Sequence, residues 1–211
     1  MVVVAICVLV VVPVAIVHSL RARTTNYALP SNAVLRGLTL RQRIVAIASS
    51  QVGYRTNPSA SYCNKFSFYW NAGAASCPGS ERSEKWCADF AAWVWRHAGV
   101  RFPYGYSYAD INAAAASFYA WGVANGQWHP TGSGYSPSPG DVALYGLSLV
   151  SSPWAAHIAV VTSYSQGAGG PDVVNGDGDR TGFSVVETGS DQARIVIGHT
   201  DYSLDGYVSP A

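Results

Sequence analysis

The chain has 211 residues, 49% of them hydrophobic, which suffices for one domain of ordinary size with its own core. Its 13 basic and 12 acidic side chains leave a formal charge of +1, and no Lys/Arg cluster marks a phosphate-tracking surface. Nucleic acid is therefore excluded as a partner, and a composition only 12% charged but 12% aromatic excludes a disordered chain.

Residues Val2 to Val17 form a nearly unbroken apolar run ended by His18, Ser19, Arg21 and Arg23. At about 16 residues it is short of the roughly 20 that span a bilayer. Residues 1–20 are read as a signal peptide or membrane anchor, although no Lys or Arg precedes the run as a signal peptide's basic start requires. The chain is thus expected outside the cytoplasmic membrane, secreted or anchored there. Residues 21–40, with Pro30 and several Ser, Thr and Asn, read as a polar linker. Residues 41–211 are then the folded domain.

From Arg41 to Val52, Ile44, Ile47, Ala48 and Val52 recur at helical spacing, which predicts a short amphipathic helix stopped by Gly53. Between Tyr54 and Ser83 turn formers dominate, and a loop is expected. Cys63 and Cys77 lie in it. In an oxidising compartment they are expected to close a disulfide loop of about 15 residues, worth about 3 kcal/mol. Cys7 falls in the leader, so Cys87 is left without a partner. No cysteine pair has the close spacing of a zinc site, and no cofactor or metal is expected.

Ser83 is a plausible N-cap for the clearest helix of the chain, which carries Cys87, Phe90, Ala91, Val94 and Ala98 before Gly99. A weaker helix is predicted over Ile111 to Asn125. Beyond Pro137, Pro139 and Gly140 the pattern changes to short apolar runs: 142–145, 157–162, 172–175, 184–187 and 194–197. Helices followed by an antiparallel meander predict an α+β fold.

Cys87 falls in the first turn of its helix, where unpaired backbone N–H groups and the macrodipole favour an anion. That position should lower the thiol pKa and supply oxyanion donors. Spacing alone also fits a core cysteine in register with Phe90 and Val94. A thiol nucleophile needs an imidazole in reach. His97 is about 15 Å along the same helix, and His129 precedes Pro130 in a loop. His157 begins a strand whose Ala159 and Val161 share its face, small residues that leave room for a helix end.

The strings Trp86-Cys87-Ala88-Asp89-Phe90, Pro139-Gly140-Asp141-Val142-Ala143 and His157-Ile158-Ala159-Val160-Val161 resemble, in order, the CHAP family of the NlpC/P60-like, papain-related superfamily. The resemblance runs from about residue 43 to 208. It implies a papain-like α+β fold and a monomeric cysteine amidase or endopeptidase acting on bacterial peptidoglycan or its stem peptides. By it Cys87 is the nucleophile and His157 the base. The family's third residue, a polar side chain on the next strand, maps best to Asn175, with Asp177 and Glu187 as carboxylate alternatives. Trp86, beside the nucleophile, is the expected substrate contact. Two rival readings stand beside this one: acyl transfer to an amine, and a non-catalytic wall-binding module. The run Asn175-Gly-Asp177-Gly-Asp179 starts like a calcium loop, but it has Arg180 at the sixth position and Val186 at the twelfth, so it is read as a polar turn.

Overall fold

The computed structural model describes residues 27–56, 61–178 and 184–210. The apolar run of residues 2–17, His18 and Cys7, and with them the leader, lie outside the described residues. In the expected linker, Tyr27 already donates its hydroxyl to Gly53 O at 2.6 Å, and Ser31 caps a one-turn helix, α1 (Asn32–Arg36). Among the described residues no helix is long and apolar enough to cross a membrane.

Helix α2 (Leu40–Ser50) starts at a reciprocal capping box between Thr39 and Gln42, and buries Ile44, Ile47 and Ala48. The segment expected to be a loop holds more structure than its turn formers suggested. A two-stranded ribbon of β1 (Cys63–Asn64) and β2 (Arg82–Ser83) brackets a short helix, α3 (Lys65–Trp70). Asn64 caps that helix through its side chain, which accepts from Ser67 N at 2.8 Å. Cys63 and Cys77 are disulfide-bonded with Cα atoms 5.7 Å apart, as the sequence predicts.

Helix α4 (Cys87–Ala98) is apolar nearly all round and is the buried axis of the domain. Ser83 is not its N-cap. That residue sits in β2 and donates to Ser61 O, and the helix starts later, with Trp86 at the N-cap position and Cys87 as its first residue. Helix α5 (Ala116–Ala124) is also shorter than predicted. Asn112 explains the difference: its side chain accepts from Ala114 N at 2.9 Å and its backbone N–H donates to Ser117 Oγ, a local turn that competes with helix before residue 116.

The described strands are β3 (Trp128–Pro130), β4 (Val142–Tyr145), β5 (His157–Ser163), β6 (Asp172–Gly178), β7 (Val185–Gly189), β8 (Arg194–Ile197) and β9 (Thr200–Val208). They form a seven-stranded antiparallel sheet in the order β3-β9-β4-β5-β6-β7, with β8 paired to β9. Strands β4 to β8 match the five predicted runs; β4 to β7 pair in succession as a meander, whereas β8 pairs with β9. Neither β3, where the sequence puts His129 in a loop, nor β9 is among the predicted strands, and β9 lies inside the sheet, between β3 and β4. The molecule is therefore α+β with a large antiparallel sheet and a few helices.

Alternation decides what each sheet face covers. Val142, Leu144, Ile158, Val160, Val174 and Val186 pack against α4, α2 and α5. Ala143, Tyr145, Ala159, Val161, Val173 and Tyr207 form a second cluster on the opposite face. Each fully buried Val, Leu or Phe side chain contributes about 1.5–3 kcal/mol. Ala159 and Val161 thus face away from α4, so the expected packing of the helix end beside them on His157's face does not occur. The helix lies on the other face and meets His157 only around the end of β5.

Candidate active site

Cys87 comes to the sheet through two contacts that fix the start of α4. Trp86 donates its backbone N–H to Asp177 Oδ2 at 3.1 Å, which ties the N-cap to the end of β6. The Trp86 indole N–H donates to Ser184 Oγ at 2.6 Å, and Ser184 in turn donates to Asp177 Oδ1. Asp177 itself has positive φ at a register irregularity of β6, so the strand end bends toward the helix. Close approach needs a glycine next door: a Cβ on Gly176 would lie 2.5 Å from Phe90 Cβ.

His157 opens β5 opposite Tyr145 of β4. Its Nε2 lies 3.1 Å from Asn175 Oδ1, and both side chains are only 3% exposed. An amide oxygen accepts, so Nε2 carries the proton and Nδ1 is left with its lone pair, the form a general base requires. Cys87, partly buried, shares a cleft of about 750 Å³ with His157, Asn175, Asp177 and Glu187. The backbone N–H groups of Ile158, next to His157, and of Ala88 favour the anionic form of the Cys87 sulfur. Among the described residues no hydrogen bond joins Cys87 directly to His157.

The resting electrostatics run against the expected thiolate. Burial pushes the Cys87 thiol up to about 12, the Asp177 carboxylate adds to that, and the N–H groups of Ile158 and Ala88 only partly oppose it. Burial also pulls His157 down to about 4, against a smaller upward effect of its bond to Asn175. The helix start does favour a thiolate, but desolvation and a neighbouring carboxylate outweigh it. Both shifts favour the neutral forms, thiol and imidazole.

Asn175 is thus the polar residue that reaches the imidazole. Asp177 is engaged with the start of α4, and Glu187 stands opposite Asn175 in the β6–β7 register on the cleft wall. Asn175 and Asp177 are both engaged in these bonds at the end of β6, so Asn175 to Gly178 are strand where the sequence reads a polar turn, and Asp179 and Arg180 of that run lie outside the described residues. Trp86 is fully buried among Tyr54, Phe66 and Phe90, so it packs the core and presents no face to a ligand. His97 Nδ1 donates to Trp93 O at 2.9 Å, and His129 stacks on Tyr135 with ring centroids 3.7 Å apart. Neither lines the cleft.

No family model, curated protein or solved structure matches the chain. What the site can do rests on its own residues.

Sequence reasoning missed one wall of the cleft, the β8–β9 hairpin with Arg194, Ile195, Ile197 and Tyr202, and the Lys85 and Tyr62 side chains that also line it. The signal for β9 was its alternating Tyr202 and Leu204, diluted by Asp201, Ser203, Asp205 and Gly206.

A second carboxyl pair lies behind the first turn of α4. Burial raises Glu84 well above the usual carboxylate range and the Asp89 carboxylate adds to it. Glu84 Oε1 and Asp89 Oδ2 are both buried without another partner, while the other Asp89 oxygen accepts from Tyr104 at 2.6 Å. A proton held by Glu84 removes the like-charge penalty between them.

Proposed function

We propose that this chain is a cysteine-dependent amidohydrolase that cuts amide bonds of bacterial peptidoglycan through a thioester intermediate. The observation that carries the chemistry is the Asn175–His157 bond, in one cleft with a thiol at the first residue of a helix. His157 Nδ1 takes the Cys87 proton as the sulfur attacks the carbonyl carbon, so no stored thiolate is needed. The N–H groups that begin α4 have no carbonyl acceptor within the helix and stabilise the oxyanion. As the C–N bond breaks, imidazolium returns the proton to the leaving amine, and water activated by His157 then releases the acyl group.

The substrate class and the papain-like identity of the fold rest on the resemblance to the CHAP family, whose three motifs fall at the start of α4, the start of β4 and the start of β5. The Cys63–Cys77 bond supports an oxidising location, outside the cytoplasmic membrane. Digestion of purified peptidoglycan by the protein and by Cys87→Ala, read by mass spectrometry of the released muropeptides, tests the proposal. New amine termini that vanish in Cys87→Ala support it, and identical digests refute it.

A second reading, a wall-binding module that keeps the fold without the reaction, is favoured by the high pKa of the Cys87 thiol. Cosedimentation with walls that neither protein digests would select it.

A further inference from the structure

We propose that the amine half of the cleaved amide sits on the β8–β9 side of the cleft, against Tyr202 and Ile195 with Trp154 at its outer edge. This subsite selects leaving amines that carry an uncharged, apolar side chain. The inference rests on the hydrolase reading above and adds its specificity.

The proton balance sets the direction. The leaving nitrogen receives its proton from His157 and must lie within hydrogen-bond reach of it, while the acyl carbon is bound to the Cys87 sulfur. The acyl half is therefore held on the Cys87 side of the cleft, and the amine half against the residues around His157. Those residues include Ala156, Ile195, Ile197 and Tyr202, an apolar surface beside the polar Asn175, Gln192 and Arg194. Tyr202 faces Ile195 across the β8–β9 register, and both pack on the cluster that holds Tyr145 and Ala159.

The Tyr202 ring approaches Gly146 closely beside Ala156, the neighbour of His157. A Cβ on Gly146 would stand 2.5 Å from Tyr202 Cδ1 and 2.9 Å from Ala156 Cβ. Only glycine lets the ring settle there. Trp154 is 52% exposed, with its ring centroid 6.0 Å from that of Tyr202. Paired backbone bonds with Ser148, at 2.7 and 2.9 Å, hold it beside Tyr202. The nearest cation on this wall, Arg194, is paired with Asp201 at 2.8 Å on the same hairpin. Asp177 and Glu187 elsewhere in the cleft disfavour an anionic amine.

Acceptor competition reads this subsite directly. Muropeptides from purified peptidoglycan donate the acyl group, and leucinamide and the α-amide of aspartic acid compete for the Cys87 thioester. The acceptor nitrogen attacks the thioester carbon, the C–S bond breaks, and the amine proton passes through His157 to the sulfur. Leucinamide is expected to be captured about tenfold more than the anionic amine, the discrimination an apolar pocket supplies. Tyr202→Ser and the surface variant Trp154→Ala should each move that ratio toward one. Equal capture, no capture, or preference for the anionic amine in the wild-type protein overturns the subsite. A protein that never forms a thioester, by intact mass, refutes the hydrolase reading and the subsite with it. A thioester without acceptor preference refutes the subsite alone.

Discussion

His157 Nε2 and Asn175 Oδ1 lie 3.1 Å apart, each side chain almost wholly buried, at the junction where β5 begins and β6 bends. The bond selects the Nε2–H tautomer and removes the imidazole's freedom to rotate away from the thiol. Asn175→Ala should lower kcat by about 10²-fold, the lower range for loss of a positioned acid–base group, with little change in KM. Asn175→Asp should retain more activity and shift the acid limb of the pH profile upward, because a carboxylate stabilises imidazolium. Steady-state kinetics on muropeptides measure both.

The neutral resting pair has its own signature. Alkylation of Cys87 by iodoacetamide should be slow at pH 7 and should keep rising toward the thiol's pKa of about 12, with no plateau near neutrality. A plateau by pH 7 would mean that the thiolate exists at rest. Asp177→Asn removes a charge that raises this pKa and should speed alkylation at fixed pH. It leaves one acceptor oxygen where Trp86 N and Ser184 Oγ now use two, and so should also loosen the start of α4.

Buried histidine makes stability acid-sensitive. Above the unfolded pKa of about 6.5, His157 is neutral in both states and contributes no pH dependence. Below it the unfolded chain binds a proton that the folded chain refuses until about pH 4, so stability falls through that window. The loss is on the order of 3 kcal/mol, and urea titrations at pH 7 and pH 4 should show it for the wild type and much less for His157→Gln.

Glu84 acts in a different window. Its folded pKa is raised, so its contribution is fully present below the unfolded value of 4.5 and is lost as pH climbs toward the folded one. Glu84→Gln keeps the shape without the charge and should flatten the dependence of melting temperature on pH above 4.5.

The Cys63–Cys77 bond closes a loop of 14 residues' separation around α3. Its reduction should cost about 3 kcal/mol through the larger entropy of the unfolded chain. Denaturant midpoints with and without dithiothreitol measure that loss.

Local chemistry in the sequence was enough for several elements. The apolar register of α2 and of α4 and the β-rich runs of β4 to β8 each carry their own periodicity, so the α+β class was legible. The one-turn helix α1 and helix α3 were not, because pieces this short owe their existence to side-chain caps and tertiary contacts rather than to propensity. Strand β9 escaped notice for a related reason: its polar residues are acceptable in a strand only because β3, β4 and β8 satisfy its backbone.

The sequence by itself determined which thiol is unpaired, which histidine begins a strand, and that Asn175 shares a face with the strand residues near it. Tertiary structure decided the rest. It placed α4 on the sheet face opposite Ala159 and Val161, turned Trp86 into core, and drew Asp177 away from His157 to hold the helix start. It also reversed the expected thiol acidity. A helix terminus is a local feature, readable from spacing, whereas desolvation and the approach of a carboxylate from a strand some 90 positions away exist only once the chain has packed.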